Sequence, residues 1–210
     1  MRNTPSTLSI TAIAFTLALT GCDTSGESKS DTTSETGQTT QELSEEYNDA
    51  DVEYLSGMIP HHRQAYEMSE MMLSKDGIDP RVTALAEDIR EAQGREIEQM
   101  ESWLDAWGES DHVGEHEDMD HDEMDDGEIE DMGHEGMMSE EELADLEEST
   151  EVEASRMFLE QMIVHHEGAV SSAEQHLQEG ENPEALDLSE DIIADQQAEI
   201  EQMEELLEDL

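Results

Sequence analysis

The chain repeats itself, and the repeat limits what it can fold into more than any other feature. Tyr54, Leu55, Met58, Ile59, His61, His62 and Ala65 recur 104 positions later as Phe158, Leu159, Met162, Ile163, His165, His166 and Ala169. Pro80, Leu85, Asp88, Ile89, Gln93, Glu96, Ile97, Met100 and Leu104 recur 103 positions later as Pro183, Leu188, Asp191, Ile192, Gln196, Glu199, Ile200, Met203 and Leu207. One residue is lost between the two blocks, which places a loop there. Self-similarity over so long a span means two copies of one supersecondary unit.

Each unit reads as a helical hairpin. Apolar residues return at intervals of three and four, and β-branched residues are sparse, so strands are disfavoured. Gly77 and Gly180 are placed to end the first helix of each unit. Asp79-Pro80 and Asn182-Pro183 are placed as N-cap and first helical residue of the second. Helices are expected near 46 to 74, 80 to 107, 140 or 150 to 178, and 183 to 209. The two starts for the third reflect two candidate capping boxes, Ser139 with Glu142 and Thr150 with Glu153. One hairpin cannot hide its apolar stripe alone, so the hairpins 46–107 and 140–210 are expected to pack as an all-α, pseudo-twofold four-helix bundle within a domain spanning 44–210. The connection 108–138 is long enough for either an up-down or a crossover topology.

The ends of the chain say where it works. Arg2 precedes an apolar run from Leu8 to Leu19, too short to span a bilayer, which reads as an export signal over residues 1–21. Leu19-Thr20-Gly21-Cys22 resembles a bacterial lipobox, which makes Cys22 the acylated first residue of a protein held at the outer face of the cytoplasmic membrane. The chain has one cysteine, so a disulfide framework and a thiolate metal site in the folded part are excluded. Residues 22–43 are rich in Ser, Thr, Gly and Glu and read as an acidic, disordered tether. With 59 acidic against 8 basic residues and a net charge of -51, nucleic acid and anionic lipid surfaces are unsuitable partners. Such a surface suits a high-salt, halophilic setting, where screening is short-ranged.

The chemistry lies on the buried seams. Tyr54, Met58, His61, Ala65, Met68 and Met72 follow one seam, with His62 on the next; Phe158, Met162, His165, Ala169, Ser172 and His176 repeat it, again with His166 beside it. Four imidazoles in a core cost several kcal/mol in lost hydration unless each finds a hydrogen bond or a metal. Gln93, Glu96, Gln196 and Glu199, on the partner helices, are candidates to orient them. Imidazole with thioether favours Cu(I) or Cu(II), with other divalent metals as the alternative. His61, His62, His165, His166, Met58 and Met162 form the candidate set. Met68, Met72 and His176 are further candidates, although Met72 and His176 lie roughly 15 Å along their helices and belong to separate sites. Met100 and Met203 read as core filler. In the connection, His112, His116, Met119, His121, Met124, Met132, His134, Met137 and Met138 stand among Asp and Glu with no apolar period, which reads as an auxiliary metal collector.

Met-Ile-Pro-His-His-Arg-Gln-Ala at 58–65, Met-Ile-Val-His-His-Glu-Gly-Ala at 162–169 and Gln-x-x-Glu-Ile at 93–97 and 196–200 resemble the domain of unknown function 305 family. With Trp103 and Trp107, the resemblance covers about residues 46–210. It implies a ferritin-like four-helix fold and, from members such as periplasmic copper-binding proteins of the CopM type, copper binding outside the cytoplasm at His61, His62, His165 and His166. Met68 keeps a methionine that the family places after the first cluster, whereas Ser172 stands at the equivalent place in the second half.

A copper-binding protein for sequestration, tolerance or delivery, not an enzyme, is the leading expectation, with its protein partner unspecified. A ferritin-like metal oxidase is the lesser alternative: it would require Glu-x-x-His pairs, which the clusters lack, although Glu96 and Glu199 are available as carboxylate ligands. An acidic structural bundle whose histidines bond only to side chains is the competing class.

Overall fold

The computed structural model describes residues 43–110 and 135–210. The export signal, Cys22 and most of the tether lie outside the described residues, as do His112, His116, Met119, His121, Met124, Met132 and His134. Five helices and no strand occur among the described residues: α1 (Asp49–Ser74), α2 (Pro80–Trp107), α3 (Glu140–Glu148), α4 (Glu151–Glu179) and α5 (Pro183–Asp209). None is long and apolar enough to cross a membrane.

The ends are set by the residues that the sequence marks. The side chain of Asp79 accepts from Arg81 N and that of Asn182 from Ala185 N, each followed by proline at the first helical position. Pro lacks the N–H that a first turn leaves unbonded, so it fits there without loss. Asn48 and Asp51 form a reciprocal capping box at the start of α1, which the repeat did not flag. Of the two starts considered for the third long helix, both are used. Ser139 and Glu142 form their capping box and open the short α3. The Thr150–Glu153 box does not form: Thr150 makes no side-chain cap bond, and Glu151 carries the left-handed φ of +56° that turns the chain from α3 into α4. Gly77, at φ +79°, sits in the turn after α1 rather than at its cap, which is Lys75.

Residue contacts fix the topology. Tyr54, early in α1, stacks on His176, late in α4, so these helices run antiparallel. Tyr47, just before α1, stacks on Trp107 at the end of α2, and Gly77, just after α1, meets Glu151 at the start of α4. The chain therefore leaves α2 at one end of the bundle and enters α4 at the other. The hairpins are arranged up-down-down-up, which settles the choice left open by the length of the connection.

Two apolar clusters fill the interior. One holds Met68, Met72, Leu85, Ile89, Phe158, Met162 and Met203 at the end where α1 finishes; the other holds Tyr54, Leu55, Met58, Ile59, Met100, Leu104 and Ile192 where α1 begins. Each buried side chain of this size contributes about 1.5–3 kcal/mol, enough to offset a polar layer at mid-height. That layer, His61, His62, His165, His166, Gln93 and Gln196, is buried and lies between the two clusters in sequence position on every helix.

Candidate metal centre

The repeat mates His61 and His165 meet across α1 and α4, their ring centroids 3.8 Å apart and tilted by 39°. The antiparallel α1–α4 pairing brings them together, because it sets equivalent mid-helix positions opposite one another. Within each pair the adjacent imidazole diverges: His61 and His62 are 6.3 Å apart and His165 and His166 6.2 Å. The outer two turn to the carboxylates one helix away. His62 Nε2 lies 2.8 Å from Glu96 Oε2 and His166 Nε2 2.7 Å from Glu199 Oε2. Glu96 and Glu199 thus hold the imidazoles that their position in the repeat suggested, each fixing a proton on Nε2. Gln93 is buried close by in sequence and yet both its amide atoms lack a hydrogen-bond partner, as does Gln196 Oε1; Gln93 orients no imidazole.

His165 differs from the other three. It has no solvent exposure, and neither ring nitrogen has a hydrogen-bond partner. Burial, then repulsion from His61, His166 and His62, holds its pKa well below the ordinary histidine value, so the ring is neutral and carries one lone pair and one N–H. Leaving a buried polar group unbonded costs about 1–3 kcal/mol. A metal ion on that lone pair is one of the few things that can recover part of it. Met58 and Met162, both buried, stand one turn before His61 and His165 on the same helix faces. Imidazole with thioether is a soft donor set. Among the described residues no three His, Cys, Asp or Glu side chains converge as a metal-holding group.

Other sequence candidates fall elsewhere. Met68 and Met72 are buried in the apolar cluster beyond the histidine layer, about 10 and 16 Å along α1 from His61 at the usual helical rise. His176 has both ring nitrogens engaged: Nδ1 lies 2.8 Å from Ser189 Oγ and Nε2 2.9 Å from Asp51 Oδ1, with the ring stacked on Tyr54 at 4.1 Å. Its repeat mate Met72 occupies the opposite end of the bundle, where Phe158 and Ala86 replace Tyr54 and Ser189. Met138 packs in the core, 8% exposed, against the cluster of Met68 and Phe158.

Two features had no sequence signal. Asp51 is fully buried and accepts from His176, from the backbone N–H groups of Glu181 and Asn182, and from Asn48 N. The segment before α3 reaches the histidine layer itself: Glu135 O lies 3.2 Å from His61 Nε2, and Gln64 grips the Met138 backbone through both amide atoms, at 2.8 and 2.7 Å.

Comparison with known proteins agrees with this architecture. A crystal structure of a DUF305 fragment from Deinococcus radiodurans superposes with a TM-score of 0.63 at 31% identity, covering 78% of this chain and 98% of that one. CopM in its Cu(I)-bound form superposes with a TM-score of 0.58 at 30% identity over 76% of this chain and 96% of that one; the same protein is also seen bound to Cu(II) and to silver. The uncharacterized protein L153 of Acanthamoeba polyphaga mimivirus is 47% identical over 55 residues, which are 26% of this chain and 36% of that protein. The family model described as a domain of unknown function, DUF305, matches residues 51–207, and the chain belongs to that family.

Proposed function

We propose that this protein binds copper outside the cytoplasm, as cargo to be sequestered or delivered, and that it catalyses no reaction. The observation that carries the proposal is the His61–His165 pair, repeat mates 3.8 Å apart in a buried layer, with both nitrogens of His165 unbonded and a methionine one turn from each. A structural role alone accounts for His62 and His166, which have carboxylate partners, but gives His165 no reason to be histidine. The copper- and silver-bound states of CopM, at 30% and 29% identity, support a soft metal. The lipobox-like Leu19-Thr20-Gly21-Cys22 supports an anchor at Cys22, and the net charge of -51 supports cations over nucleic acid as partners.

Extended X-ray absorption fine structure of the full chain loaded with one equivalent of Cu(I) tests the reading. Imidazole nitrogen together with thioether sulfur in the copper shell is the expected result. A shell of carboxylate and solvent oxygen alone would assign the metal to the acidic surface and overturn the proposal.

A further inference from the structure

The histidine pair is too close to share an ion as it stands. Two imidazoles on one metal, at a metal–nitrogen distance of about 2 Å and a tetrahedral angle, have ring centroids about 5 Å apart, against 3.8 Å here. Loading requires the rings to separate. His61 is not at liberty to move alone, because its Nε2–H donates to Glu135 O, and Glu135 begins a segment that is itself fastened down.

That fastening is specific. The amide of Gln64 donates to Met138 O and accepts from Met138 N, a two-point grip on the backbone. Gly136, at φ +82°, lies against α4, where a Cβ would fall 2.5 Å from Val164 O. Gly168 supplies the opposing gap: a Cβ there would stand 1.9 Å from Glu135 O and 2.5 Å from Glu135 C. Gln64 and Gly168 are repeat mates, each third after the first histidine of its cluster. The two copies of the motif thus depart from one another at the position that receives the segment, and each departure serves it, one as grip and one as clearance. Beyond Ser139, α3 is tied to α1 by Lys75 Nζ, which donates to Glu147 O and Ser149 O.

We infer that Glu135–Ser139 is a latch over the metal layer: docked, it holds His61 against His165 in a closed arrangement, and metal entry and latch release are one event. This rests on the copper reading of the same site. A latch that closes the empty state lowers the apparent affinity by the fraction of molecules open, so weakening it increases both the rate of loading and the affinity.

Anaerobic Cu(I) loading of the full chain, with hydrogen exchange followed at the Met138 amide, tests this. Cu(I) is expected to raise exchange at Met138 in the natural protein. Gly168→Ala is expected to raise it without metal and to speed loading by about tenfold or more, the scale expected if the open form is a minor population. Gln64→Leu, which removes the grip without touching α4, should act in the same direction and stands as the second variant if Gly168→Ala misfolds. Cu(I) binding that leaves Met138 protected, or variants that load no faster than the natural protein, would overturn the latch while leaving the copper site intact. Absence of Cu(I) binding in all three proteins is a distinct result, which overturns the copper reading and the latch with it.

Discussion

His176 Nε2 lies 2.9 Å from Asp51 Oδ1 across the α4–α1 interface, with neither side chain exposed. Asp51 at the same time closes the capping box of α1 and receives the N–H groups of Glu181 and Asn182, at the turn into α5. One carboxylate thus joins the start of the first hairpin to the turn of the second. Asp51→Ala leaves these donors buried without an acceptor. Leaving a buried donor unsatisfied costs about 1–3 kcal/mol, and urea unfolding of the metal-free protein is expected to register a loss of at least that size, with helix content retained at low denaturant.

Gly180 answers to the same pair. Its φ is −73°, so no left-handed backbone demands glycine, but a Cβ would lie 2.4 Å from His176 Nε2 and 2.8 Å from Asp51 Oδ1. Gly180→Ala is expected to destabilise by about 1–3 kcal/mol, the usual cost of overpacking. Gly94→Ala, inside α2 with only the Tyr66 ring at 3.4 Å, is expected to stabilise by up to about 1 kcal/mol through helix propensity. Thermal unfolding of the two variants should therefore shift in opposite directions.

Burial lowers the pKa of His176, against the opposing pull of Asp51, and lowers that of His165 further. Both folded-state values lie below the unfolded value of about 6.5, so the unfolded chain takes up protons first as pH falls. Stability of the metal-free protein is then level above about pH 7 and declines as pH drops below about 6.5, by up to about 1.4 kcal/mol per unit for each histidine. Denaturation measured between pH 7.5 and 5.5 checks this, and His165→Leu should reduce the slope. A slope unchanged by His165→Leu would mean that His165 titrates in the fold as it does in the unfolded chain.

The net charge of -51 makes salt a stabiliser. The Debye length falls from about 10 Å at 0.1 M to about 3 Å at 1 M, which screens repulsion among surface carboxylates while leaving the buried pairs nearly untouched. The unfolding midpoint is expected to rise steadily over that range in sodium chloride. A midpoint independent of salt would show that the acidic surface costs the fold little.

The bundle was legible because the repeat writes it twice. Both hairpins, the proline-marked starts of α2 and α5, and the buried histidine seams follow from spacing alone. The direction of the second hairpin did not, since no local signal in 108–138 says which end of the bundle the chain enters next. The glutamates that hold His62 and His166 were visible as repeat mates, 34 and 33 positions after their histidines. The hydrogen bond of His176 was not visible: it aligns with Met72, yet an antiparallel pairing sends such mates to opposite ends, and its partner Asp51 is 125 positions away. The latch was not visible either: its contact with His61 is a main-chain carbonyl, which no side chain announces, and its only trace was the Gln64-for-Gly168 difference within the repeated motif.

Competition titration with Cu(I), comparing the natural protein with a His61→Ala/His165→Ala variant and with a chain in which His112, His116, Met119, His121, Met124, Met132 and His134 are Ser, tests the central claim most directly. The histidine-pair variant is expected to lose the tightest binding, and the serine variant to keep it while losing weaker capacity. Tight binding that survives in the histidine-pair variant would contradict a copper site between α1 and α4.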